Sequence, residues 1–208
     1  MSDSSISANL ASIRSRIEAA ARAAGRDPGS VRLLAVSKTF PAEAVRDAAA
    51  AGQRDFGENK VQEALQKIEA TADLPIRWHL IGHLQSNKAK VVNRICELVH
   101  SLDSESAARR LTVPALVEVN LSGEASKSGI EPDQLPAFLS SDADVRGLMT
   151  MPPASDDPES SRPYFRRLRE LAEDHGLREL SMGTSQDYKV AAQEGATLVR
   201  VGSILYGE

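Results

Sequence analysis

The sequence predicts an α/β protein with a closed (β/α)8, or TIM, barrel. Short apolar runs alternate with helical patterns along all 208 residues, giving eight strand candidates, each after the first preceded by a helical stretch. Parallel strands need crossover connections, and eight such units fit the lower size limit of this barrel. An open doubly wound sheet would place a glycine-rich phosphate turn after the first strand, whereas the turn here, SKTFP, contains no glycine.

The first elements show how each segment is assigned. An apolar stripe at helical spacing predicts a helix over residues 6–24, which Gly25 ends. Residues 31–36, VRLLAV, are apolar apart from Arg32, a pattern that is typical of a strand buried on both faces. Pro41 then opens a helix that Gly52 closes.

The same alternation continues to the end of the sequence. Further strands are predicted in RDFGEN (54–59), IRWHLIG (76–82), CELVHS (96–101), PALVEVN (114–120), DVRGLMT (144–150), RELSMG (178–183) and ATLVRVG (196–202). The helices between them are predicted from about residue 60 and over residues 87–95, 104–111, 134–139, 159–175 and 186–195. Eight units use the whole length, so residues 1–208 are predicted to form one barrel domain with an extra N-terminal helix and no second β-domain.

Composition excludes several classes of protein. The net charge of −4 and pI near 5.7 argue against a nucleic-acid binder. A single cysteine, Cys96, leaves no disulfide framework and no cysteine-rich zinc site. No apolar run reaches the roughly 18–20 residues that cross a bilayer, and the first ten residues lack the features of a signal peptide. We therefore expect a cytoplasmic protein that contacts no membrane.

Lys38 is the strongest candidate for covalent chemistry. It directly follows the run LLAVS and, by strand alternation, shares a face with Leu34 and Val36. An amine in that position is expected to be partly desolvated, which favours its neutral, nucleophilic form. The alternative is a lysine that reaches past the barrel rim into water. Lys127 is the rival, but its Gly/Ser-rich loop, GEASKSG, would hold an amine less rigidly.

Two turns near the C-terminus have the character of a phosphate site. SMGTS (181–185) and LVRVGS (198–203) end in small residues, and the first leads into the helix predicted from Gln186. Small residues allow backbone N–H groups to approach a phosphate, and a phosphate site after strands seven and eight recurs in this fold. Arg200 alternates with Gly202, so we expect it to point inward beside the phosphate. Two ordinary turns are the alternative.

No metal site is predicted. His79 and His83 are four residues apart, but Gly82 breaks the helix that such a metal-binding pair would need. Cys96 is expected to open a strand at the end away from the active face, as a core residue.

Eight motifs are distributed along residues 33–208: LLAVSKTFP, DFGENKVQEA, IRWHLIGHLQSNK, VHSLDS, VEVNLSGEASKSG, VRGLMTMPP, LSMGTSQDYKVAAQEGAT and VRVGSILYGE. In this order they closely resemble the pyridoxal phosphate homeostasis proteins, small relatives of the N-terminal barrel of alanine racemase. One departure lies between Leu111 and Pro114, where the family carries a longer helix and loop.

The resemblance implies a monomeric barrel of fold-type III that binds pyridoxal 5′-phosphate (PLP). It implies a Schiff base on the lysine of the VSKT motif, phosphate contacts in the two C-terminal turns, an arginine facing the pyridine nitrogen and an asparagine lining the ring. These positions are Lys38 for the Schiff base, Ser185, Gly202 and Ser203 for the phosphate, Arg200 for the nitrogen and Asn59 for the ring.

Three functions remain open at this point. The resemblance implies a non-catalytic protein of PLP homeostasis that supplies PLP to apo-enzymes and also has amino acids as partners. The first alternative is a small fold-type III racemase or decarboxylase; the second is a barrel that binds a phosphorylated metabolite without a cofactor. Racemases of this fold type add a second domain and a tyrosine from a partner subunit, whereas Tyr164, Tyr188 and Tyr206 are expected away from the site.

Overall fold

A computed structural model describes residues 3–124 and 127–207 and confirms the predicted barrel. Eight parallel strands follow one another in sequence order, and the first strand pairs with both the second and the last, which closes the sheet. The strands are β1 (Arg32–Val36), β2 (Asp55–Glu58), β3 (Arg77–Leu80), β4 (Leu98–Leu102), β5 (Ala115–Glu118), β6 (Val145–Met149), β7 (Glu179–Ser181) and β8 (Leu198–Val201).

Helices alternate with the strands and cover the outside of the barrel. They are α1 (Asp3–Ala23), α2 (Ala42–Ala50), α3 (Val61–Ala70), α4 (Ala89–Ile95), α5 (Glu105–Ala108), α6 (Leu135–Leu139), α7 (Arg162–Asp174), α8 (Tyr188–Gln193) and α9 (Ser203–Tyr206). The predicted N-terminal helix is α1. It buries Ile6, Leu10, Ile13 and Ile17 along one face and packs against α2, α8 and α9.

Several predicted boundaries shift in the structure. Cys96 does not open β4, because it caps the C-terminal end of α4 and the strand begins two residues later. Its thiol is half-buried, and burial raises the pKa of this thiol to about 12. The helix predicted over residues 159–175 begins as the 3-10 turn Pro158–Ser161 and continues as α7. The helix after β8, α9, was not predicted.

The crossover between β4 and β5 is short, as the sequence indicates. Residues 103–114 contain one helical turn, α5, whose start is capped by the Ser104 hydroxyl accepting from the Ala107 N–H. A parallel crossover needs about a dozen residues. The short segment therefore still closes the barrel, and β4 and β5 pair in parallel with one irregularity in register.

Strand alternation divides the side chains between two environments. Outward-facing residues such as Phe56, Trp78 and Val199 pack under the helices in one large apolar core. Inside the barrel, a smaller apolar cluster is made by Leu98, Leu116, Met149 and Leu198. Polar side chains lie beside this cluster within the barrel, and they connect to the candidate site described below.

Among the helices of the described residues, none combines the length and the apolar character needed to cross a membrane.

Candidate functional site

A cavity of about 430 Å³ opens at the C-terminal end of the barrel, where this fold places its functional groups. It brings together all six residues predicted from the sequence, which come from the ends of four strands, β1, β2, β7 and β8, and their following turns. The lining residues are Val36, Lys38, Thr39, Phe40, Asn59, Ile81, Glu118, Met149, Met151, Thr184, Ser185, Gln186, Arg200, Gly202 and Ser203.

Lys38 lies in the cavity but is exposed, so the expectation of a partly desolvated amine is wrong. The physical reason is the length of the strand: β1 ends at Val36, and Lys38 stands two residues beyond it in a turn. Its side chain therefore rises into the open mouth of the cavity. The predicted side of the strand is confirmed, since Val36 and Lys38 line the same cavity.

The backbone on either side of Lys38 is held by a buried lysine from α3. The Nζ atom of Lys67 donates to the Ser37 carbonyl oxygen at 2.5 Å, to Glu58 at 2.6 Å and to Glu63 at 2.7 Å. The Ser37 hydroxyl also donates to Glu58, at 2.6 Å. Sequence reasoning missed this network, which fixes the segment that carries the exposed amine.

Thr39 follows Lys38 in the left-handed region of backbone space, with φ = 70°. A β-branched residue adopts this conformation rarely, and such strain persists where surrounding contacts hold it. Here the Thr39 N–H donates to Glu63 at 2.7 Å, and its hydroxyl donates to the Lys38 carbonyl oxygen at 2.5 Å. The turn after the candidate lysine is thus fixed from both sides.

The two small-residue turns meet in the cavity wall beside the end of β1. The Gly202 N–H donates to the Ser185 hydroxyl oxygen at 3.2 Å, and Ser203 begins α9. Asp187 holds the first turn by accepting from the Thr184 N–H at 2.6 Å and from the Ser161 hydroxyl at 2.7 Å. The first turn precedes a helix as predicted, although α8 begins at Tyr188 rather than at residue 186.

Arg200 is buried within the barrel and lines the floor of the cavity. Its Nη1 atom donates to the Ser181 carbonyl oxygen at 2.8 Å and to the Ser181 hydroxyl at 2.6 Å, while Nη2 donates to the Thr150 carbonyl oxygen at 3.1 Å. Burial lowers the pKa of its guanidinium to about 10, and Glu118 and Asp187 oppose this shift. Arg200 therefore remains a cation at neutral pH and can only donate hydrogen bonds.

Glu118 is a cavity residue that the sequence analysis did not single out. Its position in ALVEVN, alternating with Leu116 and Asn120, was the available signal, since alternation places it on the interior face. Burial, reinforced by the nearby negative charge of Asp103, raises the pKa of its carboxyl group to about 7. A buried acid that titrates near neutrality is a feature of functional sites.

The raised pKa of Glu118 has a consequence for stability that Glu118→Gln tests. Because an unfolded glutamate titrates near 4.3, folding favours the protonated carboxyl, and the free energy of unfolding falls as the pH rises from about 4.3 to about 7. Glutamine does not titrate, so in the variant the free energy of unfolding is expected to decrease less over this pH range. Urea unfolding of the PLP-free protein between pH 4.5 and 8 measures it.

Glu69→Gln is the matched control, because Glu69 is exposed on α3. Its pH dependence is expected to equal that of the unsubstituted protein. An equal pH dependence in Glu118→Gln would show that the carboxyl of Glu118 is not held in its protonated form.

A neighbouring cavity of about 490 Å³ adjoins the first and shares Glu118, Met151, Thr184 and Gln186 with it. Lys127, the rival lysine, lines this second cavity and not the one that contains Lys38. Residues 125 and 126 of its loop lie outside the described residues.

The remaining candidates are separated by the fold. His79 is buried inside the barrel, whereas His83 is exposed and lies 3.1 Å from Asp103. Within residues 3–124 and 127–207, no group of three or more metal-ligating side chains occurs. Of the residues described as lining the first cavity, none is a tyrosine; Tyr188 and Tyr206 are buried elsewhere with hydroxyls that have no hydrogen-bond partner in the described residues.

The fold and the cavity define a class of protein. The family model described as alanine racemase, N-terminal domain, matches residues 8–208. Alanine racemase from Corynebacterium glutamicum superposes with a TM-score of 0.67 at 21% identity, over 96% of this chain and 61% of the racemase. At that identity the likeness shows the fold alone, a closed barrel of eight parallel strands.

Two curated relatives narrow the class. The pyridoxal phosphate homeostasis protein of Pseudomonas aeruginosa is 49% identical over 220 residues, covering 98% of this chain and 96% of that protein. The protein of the same name from Aquifex aeolicus is 42% identical over 96% of both chains. PipY from Synechococcus elongatus, solved both without and with PLP, has a TM-score of 0.83 and 39% identity over 97% of this chain and all of PipY. This chain therefore belongs to the pyridoxal phosphate homeostasis protein family.

Proposed function

We propose that this protein binds PLP in the cavity, holds it covalently on Lys38 and supplies it to apo-enzymes. The observation that carries the proposal is that one cavity unites an exposed lysine, a buried arginine and two small-residue turns. The similarity to PipY, which was solved with PLP bound, and to relatives named for PLP homeostasis supports it.

The residues of the cavity fit the chemistry of PLP. A volume of about 430 Å³ lies within the range of small-molecule sites. The turns offer the hydroxyls of Ser185 and Ser203 and the backbone of Gly202 to a phosphate, and a Cβ atom at Gly202 would crowd Val36, which also lines the cavity. PLP supplies an aldehyde that condenses with a primary amine with loss of water, and hydrolysis reverses this attachment.

Each residue has a separate task in this proposal. Lys38 presents the amine, the two turns bind the phosphate, and Asn59 lines the ring. Arg200 faces the ring nitrogen as a donor and, being a cation, keeps that nitrogen unprotonated. Because Lys38 is exposed at the cavity mouth, water and an acceptor enzyme can reach the point of attachment, which suits a protein that releases its ligand.

The same residues argue against an efficient amino-acid racemase or decarboxylase. An unprotonated ring nitrogen makes PLP a weaker electron sink. A racemase also needs an acid or base on each face of the ligand, and Lys38 can serve only one. Racemases of this fold type use a tyrosine there, and no tyrosine is among the residues described as lining the cavity; we assign no proton transfer to Glu118, the one carboxylic acid among those residues. We propose that the protein is not an enzyme.

This predicts negligible turnover of free amino acids. A missing general acid or base costs about 10²- to 10⁴-fold in rate. Incubation with alanine and other common amino acids in deuterated water is therefore expected to give no appreciable exchange at Cα and no decarboxylation, with NMR as the measurement. Turnover at about 1 s⁻¹ or faster, within the ordinary enzyme range, would replace the carrier function with an enzymatic one.

Transfer is tested by mixing the PLP-loaded protein with an apo-PLP-enzyme and following recovery of the enzyme's activity. Free PLP at the same concentration, with and without a scavenger of free aldehyde, is the control. Recovery that persists in the presence of the scavenger supports direct supply. Recovery that the scavenger abolishes would mean simple release into solution.

We further propose that residues 1–208 act as one domain and that the protein is a cytoplasmic monomer. Among the described residues, Leu65 and Met151 are the large apolar side chains that are exposed, and Met151 lines the cavity. Association through a large apolar patch needs more surface than these two side chains offer. Size-exclusion chromatography with light scattering measures the mass.

A further inference from the structure

A hydrogen-bonded network of polar side chains lies inside the barrel beneath the cavity. Ser181 Oγ lies 2.6 Å from Arg200 Nη1 and 2.7 Å from His100 Nδ1. His100 Nε2 lies 3.0 Å from His79 Nδ1. His79 Nε2 lies 3.2 Å from Asp55 Oδ1 at the opposite end of the barrel. We call Asp55, His79, His100 and Ser181 the interior network.

The two ends of this network determine the direction of every hydrogen bond in it. A guanidinium only donates, so the Ser181 oxygen accepts from Arg200, and a carboxylate only accepts, so His79 Nε2 donates to Asp55. If both rings are neutral, His79 Nδ1 then accepts from His100 Nε2–H. His100 Nδ1 in turn accepts from the Ser181 hydroxyl.

The surroundings favour a neutral His100 and a charged Asp55. Burial, together with the positive charges around it, holds the pKa of His100 well below its ordinary value. Burial alone would raise the pKa of Asp55, but hydrogen bonds from Arg77 and His79 keep it well below its ordinary value. Arg77 binds both Asp55 oxygens at 2.7 Å, so the carboxylate is fixed in orientation as well as in charge.

Arg200 has one donor that the protein does not use. Its Nη1 and Nη2 atoms donate to Ser181, to the Thr150 carbonyl oxygen and to the Met151 sulfur. Within the described part of the chain, Nε has no hydrogen-bond partner. Since Arg200 lines the cavity, Nε–H is the group that a ligand atom in the cavity can engage.

We propose that the four residues of the interior network are positioning residues for PLP, acting through Arg200. The other three residues orient the Ser181 hydroxyl so that its oxygen accepts a hydrogen bond from Arg200 Nη1. This bond fixes the plane of the guanidinium and directs Nε–H toward the ring nitrogen. The inference rests on the proposed function, because it assigns the ring nitrogen to Arg200. Three side chains separate Asp55 from Arg200. Removal of the Asp55 carboxylate is then expected to change the affinity for PLP and its absorption.

The positions of the protons are tested first, in the full-length protein without PLP. Long-range ¹H–¹⁵N NMR distinguishes the two neutral forms of a histidine from each other and from the imidazolium. At pH 7, His79 and His100 are both expected to be neutral with the proton on Nε2. A proton on Nδ1 of either ring, or an imidazolium, would overturn the assigned directions and with them the proposal.

Substitutions test the effect on the ligand. Asp55→Asn lets an amide donor compete for His79, and Ser181→Ala removes the oxygen that receives Arg200. Because a hydrogen bond contributes about 0.5–1.5 kcal/mol, each is expected to weaken PLP binding about 2- to 10-fold. Each is also expected to shift the visible absorption of bound PLP, since hydrogen bonding to the ring nitrogen tunes its electronic structure.

Glu179→Gln is the matched control. Glu179 also lies at the Asp55 end of the barrel, but it pairs with Arg32 and not with the network. Glu179→Gln is expected to leave both PLP affinity and absorption unchanged. If loss of any acid at that end of the barrel disturbed the site, this variant would change them as well. If Asp55→Asn does not fold, Ser181→Ala and the NMR measurement decide.

The outcomes separate this inference from the proposed function. If the unsubstituted protein gives no PLP absorption, the proposed function fails, while the NMR result still stands on its own. If the unsubstituted protein binds PLP but Asp55→Asn and Ser181→Ala keep its affinity and its absorption maximum, the positioning role is wrong and the proposed function stands.

Discussion

Lys38→Arg is expected to abolish covalent PLP binding altogether. The guanidinium keeps the positive charge of the side chain, but it stays protonated near neutral pH and does not form a Schiff base with the aldehyde as a lysine amine does. The visible absorption of the loaded protein should disappear, and borohydride reduction followed by peptide mapping should recover no pyridoxyl group. In the unsubstituted protein, the same procedure should place the pyridoxyl group on Lys38.

The structure makes this test selective for one lysine. Lys67 is buried, and its Nζ atom is occupied by three acceptors, two of them carboxylates, so it is not free to react. Lys127 lines the neighbouring cavity. Lys60 is exposed and is not among the residues that line either the candidate site or that neighbouring cavity. Lys60→Arg and Lys127→Arg are therefore matched controls that should retain the absorption. Recovery of the label on either lysine would refute Lys38 as the anchor.

Gly202→Val is expected to weaken PLP binding by roughly two orders of magnitude. A Cβ atom at this position would lie 3.0 Å from the Val36 carbonyl oxygen and 3.3 Å from the Val36 Cβ, so the Gly202 turn or the end of β1 must move by a few tenths of an ångström. The valine methyl groups add to this crowding between the phosphate turn and the end of β1, which leads into Lys38. Hydrogen bonds to a charged group contribute about 1.5–3 kcal/mol each, so the loss of two accounts for an effect of this size.

The backbone at Gly202 has φ = −125°, which any residue adopts, so the effect is one of space and not of backbone strain. Gly29→Val is the control, because a Cβ there meets no atom closer than 3.6 Å and the residue lies away from the cavity. Affinity is measured by titration with PLP, and thermal unfolding checks that both variants fold. Undiminished PLP retention in Gly202→Val would refute the placement of the phosphate.

Much of the fold follows from the sequence because its signals are local. Residues 33–36 are apolar without interruption, and so short an apolar run before a turn is typical of a strand buried on both faces. Strand alternation also assigns Val36, Arg200 and Gly202 to the interior face, and the structure places all three around one cavity. Because parallel strands all end at the same edge of a barrel, residues far apart in sequence were predicted to meet there.

Other features depend on where a strand stops, which alternation does not determine. Lys38 was expected to be partly desolvated, yet β1 ends two residues earlier and leaves the amine exposed. The chain turns after β1 at Thr39, which has a left-handed backbone conformation and a hydrogen bond to Glu63. This contact comes from α3, a separate helix, so the residues around Lys38 do not by themselves reveal it.

The sequence by itself determined the order of the strands, the interior face of each and the chemical types gathered at the carboxyl end. Only the tertiary structure decided which interior side chains touch. Ser181 and His100 are 81 residues apart and meet because the closed barrel brings β7 and β4 within hydrogen-bond distance across its interior. The reason is that alternation fixes a direction along one strand, whereas a contact between strands depends on register and closure, which every strand of the barrel sets together.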